Sequence, residues 1–210
     1  MKLLFTTLLF FVSFFSFCQL GYKYDVRSSY VYVEVEFRNG EEKNGFGRLN
    51  AENIVLFKEL EGSKKQKFSY REVKSVIFHT TDGKRKYVYK IVRDKKGRNR
   101  VLPLIEDFKG ELSLFFQVHV STSPFFSPNV AGMGNYVNGS TSELKIYFLG
   151  KENEDTVKPI GGIKMKSKRS KKIVKEYFSD CPDLVQKINN DYFENLEIEA
   201  VVNYYNANCQ

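Results

Sequence analysis

Residues 30–37 alternate without a break. Val31, Val33, Val35 and Phe37 fall on one side, and Tyr30, Tyr32, Glu34 and Glu36 on the other. Successive side chains of a strand point to opposite faces, so a period of two predicts a strand with one face buried. Further strands are read at 45–49, 53–58, 73–78 and 87–92, from apolar and β-branched runs. Asn39-Gly40, Asn44-Gly45 and Asp82-Gly83 mark tight turns between these runs, and 61–67 and 94–100 read as polar connections. Short strands joined by tight turns over residues 28–103 predict a small, strongly curved antiparallel sheet or barrel. Gly45 and Gly47 form a Gly-x-Gly with no second half and no helix after it. They read as bulge or turn glycines, not as a phosphate loop.

Gly110 opens the longest strand. Leu112, Leu114, Phe116, Val118 and Val120 share one face, and Ser113, Phe115, Gln117 and His119 the other. Residues 143–149 are strand again, with Leu144, Ile146 and Phe148 inward. Between them, residues 121–142 read as a long loop, a length that is usually functional or disordered in a compact domain. This is a β-hairpin with a long loop at its tip. Phe125, Phe126, Met133 and Tyr136 concentrate apolar side chains there. They would form a contact patch for a protein or a membrane, or fold back as a lid over the sheet.

The C-terminal part is helical. Ile173, Val174, Tyr177 and Phe178 form one stripe, and Leu184, Val185 and Ile188 a second. Ile198, Val201, Val202 and Tyr205 stand at helical spacing and form a third. Asp180-Cys181-Pro182-Asp183 reads as a helix start. Asp180 is placed to cap, Pro182 sits in the first turn, and Asp183 complements the positive end of the dipole. The expected class is therefore α+β, with a curved antiparallel sheet or barrel, a further hairpin, and short C-terminal helices.

The N-terminus begins Met1, Lys2, then an apolar run over residues 3–17. Ser16 and Cys18 stand at −3 and −1 of a cut before Gln19, which predicts a secretory signal peptide over residues 1–18. A single membrane anchor and an acylated Cys18 are the other readings. Phe17 opposes the acylated form, because that position normally takes a small residue. Removing the first 18 of 210 residues leaves enough chain for a sizeable core. It also leaves two of the three cysteines, Cys181 and Cys209. If their helices are antiparallel neighbours, the sulfurs could meet in an oxidising compartment. Closing that loop would stabilise the fold by roughly 3–3.5 kcal/mol. Two unpaired thiols are the alternative. The expected layout is a signal over 1–18, a β-rich barrel-like module over 19–108, the hairpin over 109–165, and a disulfide-linked helical tail over 166–210.

Tyr177-Phe178-Ser179-Asp180-Cys181-Pro182-Asp183-Leu184-Val185, with the closing Tyr204-Tyr205-Asn206-Ala207-Asn208-Cys209, resembles the C-terminal end of uncharacterised secreted or envelope proteins of Bacteroidetes-type bacteria. The resemblance is strongest over residues 176–209. It implies export and a β-rich front half before a short helical tail, and no activity. Asp155-Thr156-Val157 is similar in form to the O-glycosylation site those bacteria use on exported proteins. Asn138-Gly139-Ser140 matches the N-glycosylation pattern, which a bacterial origin would make irrelevant.

Catalytic and metal chemistry have little to stand on. There are two histidines. His79 lies near Asp82 and His119 is on the more polar face of its strand, so both read as surface or edge residues. A nucleophile–base–orienter set is not visible, and no ligand set completes a zinc site. The carboxylate pairs Glu34/Glu36 and Glu41/Glu42 read as solvated faces and turns. No catalytic, cofactor-binding or metal-ligating residue is assigned, and no cofactor is expected.

Charge is more informative. The net charge is +8. Basic residues cluster at 64–67, 84–86, 93–100 and 164–172. Lys84, Arg85, Lys86, Lys95, Lys96 and Arg98 could share one end of a small barrel and form a rim for an anionic polymer. Lysine-rich solubilising turns are the plainer reading. Export makes nucleic acid a poor partner. An anionic envelope polymer, a membrane surface or an envelope protein is the expected partner. The chain is thus expected to be an exported, non-enzymatic binding or scaffolding module that is periplasmic, outer-membrane-associated or secreted. A carbohydrate- or lipid-directed hydrolase is the alternative.

Overall fold

The computed structural model describes residues 26–93, 96–126, 137–151, 154–161 and 168–209. The expected signal peptide lies outside them. The alternating run becomes β1 (Val31–Phe37), with Val33, Val35 and Phe37 buried. The strands that follow are β2 (Glu42–Leu49), β3 (Val55–Lys58), β4 (Gln66–Phe68), β5 (Val73–Thr80) and β6 (Gly83–Arg93). After these come β7 (Asn99–Phe108), β8 (Leu112–Phe126), β9 (Val137–Lys151) and β10 (Thr156–Gly161). Three helices close the chain: α1 (Lys168–Tyr177), α2 (Pro182–Asn189) and α3 (Ile198–Asn208). The fold is α+β, with strands first and helices last.

All ten strands belong to one sheet, in the order β10-β9-β8-β7-β6-β5-β1-β2-β3-β4. Neighbours in that order pair antiparallel. The sheet crosses the boundary expected at residues 108–109, since Ile105 on β7 pairs with Phe116 on β8. It also returns on itself. β10 pairs with β9 and, in parallel, with β6, through Thr156↔Ile91 and Val157↔Val92. The ring of pairings therefore runs through β6–β10. Over residues 28–103 the expectation of a curved sheet or a barrel resolves as a curved sheet.

The first half of the sheet is strongly curled. Phe68 on β4 comes back to meet Phe37 on β1, with ring centroids 4.9 Å apart. Gly45 and Gly47 permit this, and they are neither bulge nor turn residues. Both lie on the buried face of β2. A Cβ on Gly45 would stand 2.4 Å from the Lys58 carbonyl oxygen, and one on Gly47 would stand 2.7 Å from Val33 Cγ2. Close approach of β1 and β3 is what requires them. Asn44-Gly45 accordingly lies inside β2, and the turn is made at Gly40, whose φ is +86°.

Both faces of β6–β9 are buried. Tyr87, Tyr89, Ile105, Leu114, Phe116, Tyr147 and Leu149 join the main core with the helices. Val92, Leu104, Phe115, Phe148 and Val157 form a second cluster on the other face. Lys90 lies among the latter, 6% exposed. Its Nζ donates to the Glu154 carbonyl oxygen at 2.6 Å and sits 5.2 Å from the Phe115 ring centroid. Burial lowers its pKa below the usual lysine range, with Asp155 and Glu106 partly opposing the shift. The Ile91 N–H donates to the Asp155 carbonyl oxygen at 2.7 Å. These two bonds fasten the chain entering β10 to β6.

The helices pack by the stripes read from the sequence. Val174, Phe178, Leu184, Ile188, Ile198, Val201, Val202 and Tyr205 are buried. Cys181 and Cys209 form a disulfide with Cα atoms 5.5 Å apart. Asp180 does not cap α2. The N-cap is Cys181, with no side-chain cap bond. The Asp180 carboxylate instead accepts from the Tyr205 hydroxyl at 2.7 Å, which ties α3 to the start of α2. Tyr204 makes the same kind of bond to Asp183.

Asn206 fixes α3 to the sheet. Its Oδ1 accepts from the Leu112 N–H, and its Nδ2 donates to the Leu112 carbonyl, both at 2.9 Å. Leu112 is 1% exposed, so losing the amide leaves its backbone groups poorly satisfied. Asn206→Ala should lower the unfolding free energy by about 2–3 kcal/mol. Urea titration measures this. A change below about 0.5 kcal/mol would mean water replaces the amide.

Candidate functional site

Face and register on the outer side of β1 are set by the same alternation that buries Val33 and Val35. Tyr32 on β1 pairs with Phe46 on β2, and Phe46 pairs with Lys58 on β3. On the other flank Val33 pairs with Phe78, which puts His79 of β5 beside Tyr32. His79 pairs with Lys84 on β6. One lateral row, Lys58–Phe46–Tyr32–His79–Lys84, therefore crosses five strands. The Tyr32 ring stands between two others. Its centroid is 6.4 Å from that of Phe46 and 4.9 Å from that of His79, with both neighbours near perpendicular. It still leaves 43% of its surface to solvent. One step along, Arg48 and Lys58 stand over Tyr30, with the guanidinium carbon and Nζ 5.4 and 4.8 Å from its centroid. This end of the face is aromatic and basic.

The next rows alternate in charge. Glu34 Oε1 meets His79 Nε2 at 2.6 Å and Lys84 Nζ at 3.1 Å. The Lys84 and His79 contacts hold the Glu34 carboxyl below the usual range. Glu36 takes Lys74 Nζ at 2.5 Å and the Ser75 hydroxyl at 2.7 Å, and its pKa is lowered, first by the Lys74 bond. Lys86 pairs with Glu106 at 2.9 Å. Glu34, Glu36, Glu42, Ser75, Ile77 and Lys86 bound an open hollow of about 220 Å³ next to the aromatic row.

Of the expected basic rim, only Lys84 belongs to the aromatic row. Lys84 and Lys86 are ion-paired, and Arg85 lies on the opposite face of β6, across from Phe78. Lys96 and Arg98 follow the far end of β6, roughly 30 Å from Lys84 along the strand. Lys95 lies outside the described residues. Lys84 and Arg98 therefore stand near opposite ends of β6.

The loop expected over 121–142 is shorter. Residues 121–126 and 137–142 are strand, paired from Ser121↔Ser142 to Phe126↔Val137. Phe125 and Phe126 thus lie in β8, and Met133 and Tyr136 lie outside the described residues. Thr156 of the Asp155-Thr156-Val157 stretch begins β10 and is exposed. Asn138-Gly139-Ser140 falls in β9.

His79 contacts Glu34 and Tyr32, while the Ser75 hydroxyl is bound to Glu36, so no serine–histidine pair forms at this face. His119 is exposed on β8. Among the described residues no group of three or more His, Cys, Asp or Glu could hold a metal ion. No described helix is long and apolar enough to cross a membrane. Sequence reading missed the row because its members are scattered along the chain between Tyr32 and Lys84, on five different strands. The signal that could have found it was the polar face of 30–37, where Tyr30 and Tyr32 hold positions that water-facing strands usually give to charged residues. The chain matches no family model, no curated protein and no solved structure.

Proposed function

We propose that the protein is an exported binding module that holds an acidic polysaccharide of the cell envelope on the outer face of β1, β2 and β5. The observation that carries this reading is the row Lys58–Phe46–Tyr32–His79–Lys84. A half-exposed tyrosine offers a flat apolar surface to a sugar ring, and its hydroxyl can reach a polar group. Lys58 and Arg48 lie within the same patch and suit the carboxylates of an acidic chain. Export is supported by the apolar run at residues 3–17 and by the Cys181–Cys209 disulfide, which suits an oxidising compartment.

The test is binding of the mature chain to polygalacturonate, with dextran as the neutral comparison. The acidic polymer should be retained and the neutral one not, and retention should fall as salt is raised toward about 0.5 M. Tyr32→Ala and Lys58→Glu should each weaken binding about ten-fold, equivalent to about 1.4 kcal/mol. Equal binding to dextran, or variants that bind like the parent, would remove this face from the reading.

A further inference from the structure

β8 and β9 are longer than the sheet that carries them. Each has 15 residues, and they stay in register from Leu112↔Lys151 to Phe126↔Val137. β7 reaches β8 only at Leu114–Phe116, and β10 reaches β9 only at Tyr147–Leu149. Val118 and Lys145 still touch the body, through the core and the Phe116 ring respectively. Beyond them, from His119↔Leu144 outward, the two strands have no third strand among the described residues. His119, Ser142 and Glu143 are exposed, and Leu144 is 58% exposed. At about 3.3 Å per residue the ribbon projects roughly 25 Å.

A two-stranded ribbon alone in water is marginal, and each of its edges carries backbone N–H and C=O groups that a further strand would satisfy. Free edges are normally blunted by charge, lysine above all. Here β8 carries Pro124, but charge is missing. Residues 120–142 contain no Asp, Glu, Lys, Arg or His, in a chain that is 28% charged with net charge +8. Two copies of this chain repel over most of their surface, and the ribbon is the part that can approach its twin without a like-charge contact.

We propose that the β8–β9 ribbon is an assembly element that pairs edge to edge with the same ribbon of a second copy of this chain. The pairing is isologous and uses one edge of each ribbon, so one two-fold axis joins two ribbons into a four-stranded sheet. Recognition is by backbone hydrogen bonds, as in other strand-addition contacts. The bodies of the two copies stay apart and leave the aromatic rows exposed.

Sedimentation of the mature chain over a hundred-fold concentration range tests this. The parent should be a dimer. Ser121→Lys with Ser123→Lys puts two charges on the charge-free stretch, and should raise the dimer dissociation constant at least about ten-fold. Thr141→Val, which adds no charge, should leave it unchanged. Unchanged melting of the lysine variant shows that the body still folds. A parent that is monomeric throughout, or a lysine variant that dimerises like the parent, would overturn the proposal. So would a monomer that floats with anionic lipid vesicles through the ribbon, which would assign it to a membrane surface.

Discussion

Cys181→Ala should lower the unfolding free energy by about 3.5 kcal/mol, with a fall in Tm of roughly 7–14 °C. The bond closes a loop of 28 residues. Cutting it returns to the unfolded chain the freedom that closure removes, and the chain-entropy estimate for that loop gives the figure. The native geometry favours a large effect. Cys181 is buried at the N-cap of α2, and Cys209 follows the last turn of α3. The bond therefore holds the two helices as a pair, beside the Tyr205–Asp180 and Tyr204–Asp183 hydrogen bonds. Cys209→Ala and the double variant should match the first, since either single change already breaks the link. Guanidinium titration with and without reductant reads all of these. If either single variant is as stable as the parent, the link does not form in solution. Intact mass before and after reduction gives the same answer, and a chain starting at Gln19 would at the same time establish removal of residues 1–18.

Raising the pH from 10 to 12 should destabilise the protein, with buried tyrosines of both the sheet and the helical tail contributing. Burial, with the Asp180 hydrogen bond and nearby acidic charge, pushes the Tyr205 hydroxyl up to about 12. Burial similarly pushes Tyr177 up to about 12. Tyr89 and Tyr147 are raised further still, mainly by burial. In each case the folded state holds its proton after the unfolded chain has released it near pH 10. These groups therefore stabilise the fold fully below pH 10, and that stability is lost as the pH climbs through the folded pKa. For Tyr205, which is 8% exposed, the loss is on the order of 2–3 kcal/mol by pH 12. Lys90 acts the other way. Its folded pKa is depressed, so its ammonium weakens the fold at neutral pH, and that penalty is relieved as the pH rises toward its unfolded value near 10.5. One lysine against four tyrosines leaves the net slope downward above pH 10. Urea titrations at pH 9, 10, 11 and 12 should show it, and Tyr205→Phe should flatten the slope by about one proton. A stability that stays level from pH 10 to 12 would mean these hydroxyls reach water in solution.

Periodic signals carried much of the fold. The run at 30–37 predicted β1 and its buried face, and the stripes through Val174, Leu184 and Ile198 predicted the three helices. Such patterns work because which side of an element is buried is written every two residues in a strand and every three or four in a helix. β7 and β10 escaped this logic. Leu102 and Leu104 face one cluster while Val101 and Ile105 face the other, so β7 shows no alternation, and Pro103 and Pro159 argue against strand. Residues 121–126 and 137–142 read as loop from their Ser, Thr, Gly and Pro content. In the structure strong strands on the body side carry the register outward through them. Asp180 had the composition of a cap, yet Tyr205, 25 positions away, takes its carboxylate.

The sequence by itself determined the class, the order of strands before helices, the inward face of β1 and the pair of cysteines available for a link. Tertiary structure decided that β10 returns to β6, that Lys90 is enclosed, and that Lys84 and Arg98 stand at opposite ends of one strand. It also decided that Lys58, Phe46, Tyr32, His79 and Lys84 line up across five strands. The division has one physical cause. Burial of a face repeats along the chain and is legible locally, whereas register between strands is chosen by the summed packing of residues far apart in sequence, which no short stretch contains.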